Sequence, residues 1–133
     1  MKVRASNHAF SKRSILVVDD DEPMRLAIYD LLSPNYHVTL AVDGLDGFDK
    51  SKDQPLPHLI IADIVMPRLD GIEMVRRIRE RDAVQVVPVI FISGQMSVGS
   101  ILAGLPLLPF GYLAKPTDPA VLVNKVKRAL GEA

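Results

Sequence analysis

Three short hydrophobic runs in this sequence end directly at charged residues, and this pattern constrains the fold most strongly. Each run has the length of a buried strand. The runs and the residues that follow them are 15–18 before Asp19, Asp20 and Asp21; 59–62 before Asp63; and 111–114 before Lys115. In an open parallel sheet with helices on both faces, ligands bind beyond the carboxyl ends of the strands. Clustered carboxylates there bind a cation and a lysine binds an anion, so the sequence predicts a divalent metal and a phosphoryl group.

Strand-like runs alternate with segments of helical period along the chain, which is typical of repeated strand–helix units. The predicted strands are 14–19, 36–41, 58–62, 86–92 and 110–114. Capping residues and turns start four helices, at Asp21 with Pro23, near Gly44, after Asp70-Gly71, and at Asp118 with Pro119. A fourth helix in chain order should occupy 96–109, where glycines and prolines allow only a shortened or irregular one. Strict alternation predicts an α/β fold with a doubly wound parallel sheet.

The spacing of apolar residues predicts which side of each helix packs on the sheet. The expected apolar positions are Leu26, Ala27 and Leu31 in the first helix; Leu45 and Phe48 in the second; Ile72, Val75 and Ile78 in the third; and Leu122, Val126, Ala129 and Leu130 in the fifth, which Gly131 ends. The arginines of the third helix are expected on a solvated face: Arg76, Arg77, Arg79 and Arg81.

The composition is that of one ordinary globular domain. The chain has 133 residues, a formal net charge of zero and no cysteine, which favours neither nucleic acid nor an anionic membrane as a partner and suits the cytoplasm. Residues 1–13 are polar and basic and are predicted to form a flexible arm before a single domain over 14–131. The longest apolar stretch, 101–114, is interrupted and too short for a membrane helix.

Several of these motifs together resemble the receiver domains of two-component response regulators, in particular the single-domain receivers of the chemotaxis type. The resemblance covers residues 14–130 and rests on the acid cluster, the run from Asp63 to Pro67 (Asp-Ile-Val-Met-Pro) followed by Asp70-Gly71, Ser93, and the run from Tyr112 to Pro116 (Tyr-Leu-Ala-Lys-Pro). It implies a flavodoxin-like fold of five strand–helix units with strand order 2-1-3-4-5.

The resemblance also implies a role for each site residue. Asp63 would accept a phosphoryl group as an acyl phosphate, while Lys115 and Ser93 would bind the phosphoryl oxygens. Mg²⁺ would be held by Asp20 and Asp63, by Asp19 acting mainly through water, and by the backbone carbonyl of Val65. The peptide bond between Lys115 and Pro116 would be cis.

Ser93 and Tyr112 would act as the switch in such a protein, by repacking the face formed by the fourth helix, the fifth strand and the fifth helix. The phosphoryl donor would be a histidine kinase or a histidine phosphotransfer protein, and the domain would catalyse only its own phosphorylation and dephosphorylation. The output would pass to a separate downstream protein or through a homodimer formed by that face, where Leu107 and Leu108 are apolar. The variable positions Val65 and Gln95 flank the phosphoryl group, and an apolar Val65 cannot hold a hydrolytic water, which favours a persistent phosphoryl group.

Two other functions are consistent with parts of the sequence. Asp19-Asp20-Asp21 also fits the Asp-x-Asp motif of haloacid-dehalogenase-like phosphohydrolases, although no acid pair follows Lys115 and Asp63 would then have no role. Alternatively, the apolar segment near the fourth helix could dock a partner without phosphorylation. Replacing Asp63 by asparagine separates these alternatives from the phosphoacceptor.

Overall fold

Five parallel strands form one sheet in the order β2-β1-β3-β4-β5 in a computed structural model, which describes residues 12–94 and 110–132. The strands are β1 (Ser14–Val18), β2 (His37–Ala41), β3 (Leu59–Asp63), β4 (Val89–Ser93) and β5 (Phe110–Ala114). The helices of the described part are α1 (Glu22–Leu32), α2 (Gly44–Lys50), α3 (Gly71–Arg81) and α4 (Pro119–Ala129). This confirms the flavodoxin-like fold and its strand order. The irregular helix predicted for 96–109 and nearly all of the predicted arm lie outside the described residues.

The core consists of two layers, because alternate residues of each strand point to opposite faces of the sheet. Leu16, Ile60 and Phe91 pack in one layer with the buried residues of α3, while Ile15, Ile61 and Ile90 pack in the other with those of α1 and α4. All five residues of β1, β3 and β4 are buried. These strands therefore hold their carboxyl ends at one well-fixed edge of the sheet.

Aspartate side chains begin all four of these helices. Asp21, Asp43, Asp70 and Asp118 each accept a hydrogen bond from a backbone N–H of the first turn, which satisfies a donor that has no partner within the helix. Gly131, with a φ of 72°, follows the end of α4 as predicted. The starts of the helices were therefore readable from the sequence.

The apolar face predicted for the first helix was wrong at Leu26 and Ala27, whereas Leu31 is partly buried and packs against the core as predicted. Ile28 and Leu32 are the buried residues of α1, whereas Leu26 is 47% exposed and Ala27 is also exposed. Apolar residues occur on several sides of this helix, so spacing alone did not decide which side faces the sheet. The faces predicted for the third and fifth helices, α3 and α4 of the structure, are correct. In the second helix, α2, Phe48 packs against the core as predicted, but Leu45 is 47% exposed, so that prediction was wrong.

Two further expectations near β4 were wrong. The strand begins at Val89 rather than at 86, where the valine is 45% exposed; Pro88 has no N–H to donate and contributes only its carbonyl, to Ile60. The arginines of α3 are not all solvated. Arg81 lies over the Phe48 ring at 4.9 Å and donates to the Ser51 hydroxyl, and Arg79 donates to the Val87 carbonyl.

The end of the described chain is hydrogen-bonded to the residue that directly precedes β2, an outer strand of the sheet. The Tyr36 hydroxyl donates a hydrogen bond of 2.7 Å to Glu132, and burial together with this bond raises the pKa of Tyr36 to about 12.

Within the described ranges, none of the helices has both the length and the apolar character needed to cross a membrane.

Candidate functional site

Three aspartates converge at the carboxyl edge of the sheet. Asp63 ends β3, and Asp19 and Asp20 directly follow β1, its neighbour in the sheet. Carboxylate oxygens of the three side chains lie within 4.8 Å of one another. Asp19 and Asp63 are buried, whereas Asp20 is exposed. A set of oxygen donors with one open side suits a hard cation such as Mg²⁺, which keeps several of its waters.

Lys115 bridges the two buried carboxylates. Its Nζ donates to Asp63 Oδ2 at 3.1 Å and lies 3.3 Å from Asp19 Oδ2. The backbone of the lysine is held as well, since its N–H donates to the Ser93 carbonyl at 2.8 Å. The peptide bond between Lys115 and Pro116 is cis, as the resemblance implied. The ends of β1, β3 and β5 thus meet through one ammonium group.

Ser93 and Tyr112 occupy neighbouring strands behind this cluster. Ser93 ends β4 with no exposed surface and is paired in register with Ala114. Tyr112 is partly buried, lies opposite Phe91 and packs against the core layer that contains α3. The predicted switch residues are therefore in adjacent strands, while Gln95, which follows Ser93 by two positions, lies outside the described residues.

The buried charges of the site alter one another's ionisation. Burial raises the pKa of Asp19 above its ordinary value, and the negative charge of Asp63 raises it further, against the hydrogen bond from the Asp21 N–H and the charge of Lys115. Burial lowers the pKa of Lys115, but its hydrogen bond to Asp63 and the charges of both aspartates outweigh this, so the net direction is upward. The lysine stays charged, and it compensates only part of the carboxylate charge.

The loop after β3 contains Val65, the residue whose carbonyl the resemblance assigns to the metal. The Val65 side chain is 52% exposed, between the buried residues Ile64 and Met66. The loop is closed by a hydrogen bond of 2.8 Å from the Gly71 N–H to the Ile64 carbonyl. Val65 is thus held in a short closed loop beside Asp63.

Sequence reasoning missed two arginines near the site. The Arg25 guanidinium donates to the backbone carbonyl of Asp19 at 2.7 Å. Its place in the first helix, four residues after Asp21, could have indicated that it lies near the acid cluster. Arg68 forms an ion pair with Asp43. Nothing in the local sequence indicated that partner, 25 positions away.

The family model of the response regulator receiver domain matches residues 15–127. The chain belongs to this family. Among curated relatives, this receiver domain is 31% identical over 118 residues to a probable transcriptional regulator, ycf29, of Porphyra purpurea, and 32% identical over 119 residues to the response regulator Rre1 of Synechocystis. Each alignment covers 88% of this chain, but only 56% and 51% of those relatives, so the chain spans about half their length.

Solved structures agree with this assignment. The chemotaxis protein CheY4 of Vibrio cholerae superimposes with a TM-score of 0.80 at 26% identity, over 90% of this chain and 100% of that one. Receiver domains are signalling domains that accept phosphoryl groups from histidine kinases. The acid cluster and the lysine of this chain lie at the carboxyl ends of the strands, where ligands bind in open parallel sheets.

Proposed function

We propose that this receiver domain accepts a phosphoryl group on Asp63 in a Mg²⁺-dependent reaction and signals through a change in its surface. The observation that supports this best is the grouping of Asp63 with two further carboxylates and one lysine. A buried carboxylate at the end of a central strand is costly unless it is paired. Its pairing with Lys115 leaves the second oxygen of Asp63 for chemistry.

In the proposed reaction a carboxylate oxygen of Asp63 attacks phosphorus. The new bond joins that oxygen to phosphorus, and the bond between phosphorus and the donor's histidine nitrogen breaks, with its electron pair returning to the imidazole. The Lys115 ammonium would pair with a phosphoryl oxygen, and the Ser93 hydroxyl would donate to another. Asp63 and Ser93 end neighbouring strands, which supports their acting on the same group.

Asp19, Asp20 and Asp63 are the residues that would hold Mg²⁺, together with the Val65 carbonyl. Their fit rests on the convergence of carboxylate oxygens and on the excess of negative charge over Lys115. When bound, the ion would offset the repulsion between these carboxylates and the incoming phosphoryl group. Asp20, the exposed member, would be the first to meet an arriving ion.

The proposed output begins at Ser93 and Tyr112. A new charge at Asp63 would draw the Ser93 hydroxyl towards it, and Tyr112 would rotate into the space released, which repacks the surface around β5 and α4. The phosphoryl donor in this proposal is a histidine kinase or a histidine phosphotransfer protein. The signal then passes to a separate downstream protein or to a second copy of this chain. We further propose, on the family resemblance alone, that this domain acts in the cytoplasm and processes no other substrate.

The proposal is tested by incubating the protein with Mg²⁺ and acetyl phosphate and measuring its intact mass. One added phosphoryl group is expected on the wild type and none on Asp63→Asn. Asp70→Asn is the matched control, because it makes the same chemical change at an exposed capping residue and asparagine also caps helices. The control should be modified as the wild type is.

Other outcomes would identify the alternative functions. Phosphate released steadily, with dependence on Asp19 but not on Asp63, would indicate a phosphohydrolase. Partner binding that is unchanged in Asp63→Asn would indicate docking without phosphorylation. An adduct on the Asp63→Asn variant would refute Asp63 as the acceptor.

A further inference from the structure

A strained turn lies in the middle of the loop between β3 and α3. Arg68 has a φ of 67°, and no other non-glycine residue of the described ranges has a positive φ. The Leu69 N–H donates at 2.7 Å to the Pro67 carbonyl across it. A three-residue turn of this kind with a positive central φ is rare and strained. Such a conformation persists only where the surroundings determine it.

The side chain of Arg68 supplies one such restraint. Its guanidinium pairs with the Asp43 carboxylate, at the start of α2. Asp43 is 8% exposed and also accepts from the Asp46 N–H at 2.8 Å. That backbone hydrogen bond and the Arg68 guanidinium lower the pKa of Asp43. The carboxylate is therefore ionised at neutral pH, and each of its two oxygens accepts a hydrogen bond.

The backbones of the two turns also touch. A Cβ atom on Gly44 would lie 2.1 Å from the Leu69 carbonyl oxygen, so the first residue of α2 and the residue after Arg68 are in direct contact. Loop 64–70 is thus held at its far end by Gly71 and at its strained turn by residues 43 and 44. Val65 lies between these two anchors.

We propose that the ion pair between Asp43 and Arg68, called here the 43–68 clamp, holds loop 64–70 in the conformation that offers the Val65 carbonyl to Mg²⁺. Asp43 and Arg68 are then positioning residues for metal binding, although neither belongs to the acid cluster. This inference rests on the proposed function, because it assigns the metal to Val65 and the three aspartates. It adds the turn before α2 to the elements on which the site depends.

A clamp and a simple charge effect predict different directions for the change in Mg²⁺ affinity. If only charge acted, Asp43→Asn would weaken Mg²⁺ binding, whereas Arg68→Ala would strengthen it by removing a positive charge. If the clamp positions the loop, both variants weaken binding. Asparagine keeps the capping of α2, so Asp43→Asn removes the ion pair without removing the helix start.

The experiment is calorimetric titration of Mg²⁺ into the wild type, Asp43→Asn, Arg68→Ala and the double variant. We expect each single variant to raise the Kd about two- to fivefold, the range that an ion pair with one exposed partner supports. The Kd of the double variant should not exceed the higher of the two single-variant values, because both changes remove the same contact. Arg68→Gly should lie nearer the wild type than Arg68→Ala, since glycine adopts a positive φ without strain.

Arg76→Ala is the control, because it removes an arginine from an exposed ion pair with Glu73 on α3 and should leave the Kd unchanged. Tighter binding in Arg68→Ala, or an unchanged Kd in both single variants, would overturn the clamp. A second measurement needs no metal: amide exchange at Leu69 and Gly71 should be faster in Asp43→Asn than in the wild type. If the wild type binds no Mg²⁺, the metal assignment fails, and equal exchange in the two proteins separately rejects the clamp.

Discussion

The start of α3 lies so close to the end of β3 that residue 71 has no room for a side chain. A Cβ atom on Gly71 would lie 2.1 Å from the Asp63 carbonyl oxygen and 3.0 Å from its carbon, where ordinary contacts begin at 3.4 Å. Because the obstructing atoms are backbone, no change of rotamer can relieve the overlap. Overpacking of this kind costs about 1–3 kcal/mol, and the better helix propensity of alanine returns at most about 1 kcal/mol. Gly71→Ala should therefore lower the free energy of unfolding by about 1–2 kcal/mol.

Urea unfolding followed by circular dichroism measures this change. With a slope of about 2 kcal/mol per molar urea, the midpoint should fall by about 0.5–1 M. Gly94→Ala is the matched control, because no atom of the described residues, apart from its chain neighbours, lies within 4 Å of its added Cβ, and its midpoint should not fall. The displaced group belongs to Asp63, so phosphorylation of Gly71→Ala should also be slower. Equal midpoints for the two variants would refute the steric argument.

Three further variants test the charges and the polar contacts. Asp19→Asn should stabilise the metal-free protein in urea titrations. Because the folded-state pKa of Asp19 is raised above 3.8, the gain in stability over the wild type should be absent at low pH and should grow as pH rises through the folded-state pKa. A gain that shrinks with rising pH would contradict this. Tyr36→Phe should lower the free energy of unfolding by about 0.5–1.5 kcal/mol through loss of the bond to Glu132. Wild-type stability should fall between pH 10 and about 12, where Tyr36 titrates, and a variant with the same fall would exclude this hydroxyl as its cause. Val65→Asn should shorten the lifetime of the phosphoryl group on the intact protein, because an amide side chain can orient an attacking water by hydrogen bonding. An unchanged decay would show that Val65 does not govern hydrolysis.

The fold and the centre of the site could be predicted because short local signals determine them. Apolar runs that end in Asp19, Asp63 and Lys115 indicate strands whose carboxyl ends meet at one edge, and the geometry of a parallel sheet then brings the side chains together. The capping aspartates mark the helix starts by an equally local rule.

The errors and omissions concern choices that local sequence leaves open. The first helix has apolar residues on more than one side, so Leu26 was assigned to the core, where Ile28 lies instead. The pairing of Arg68 with Asp43 depends on a long side chain, on a positive φ and on the approach of two turns. None of these has a sequence signature, since the sequence specifies neither which rotamer a long side chain adopts nor which distant carboxylate it meets.

Lys115 and the acid cluster with which it pairs follow strands of different local stability. The aspartates follow β1 and β3, which have neighbours on both sides, whereas Lys115 follows β5, the last strand of the described sheet. End strands detach from a sheet at a lower free energy than central ones, before global unfolding. We therefore expect a partially opened form in which β5 has separated and the carboxylates remain in place. That form would still attract a metal ion but would lack the ammonium that holds the phosphoryl group, so local opening would uncouple the two binding events.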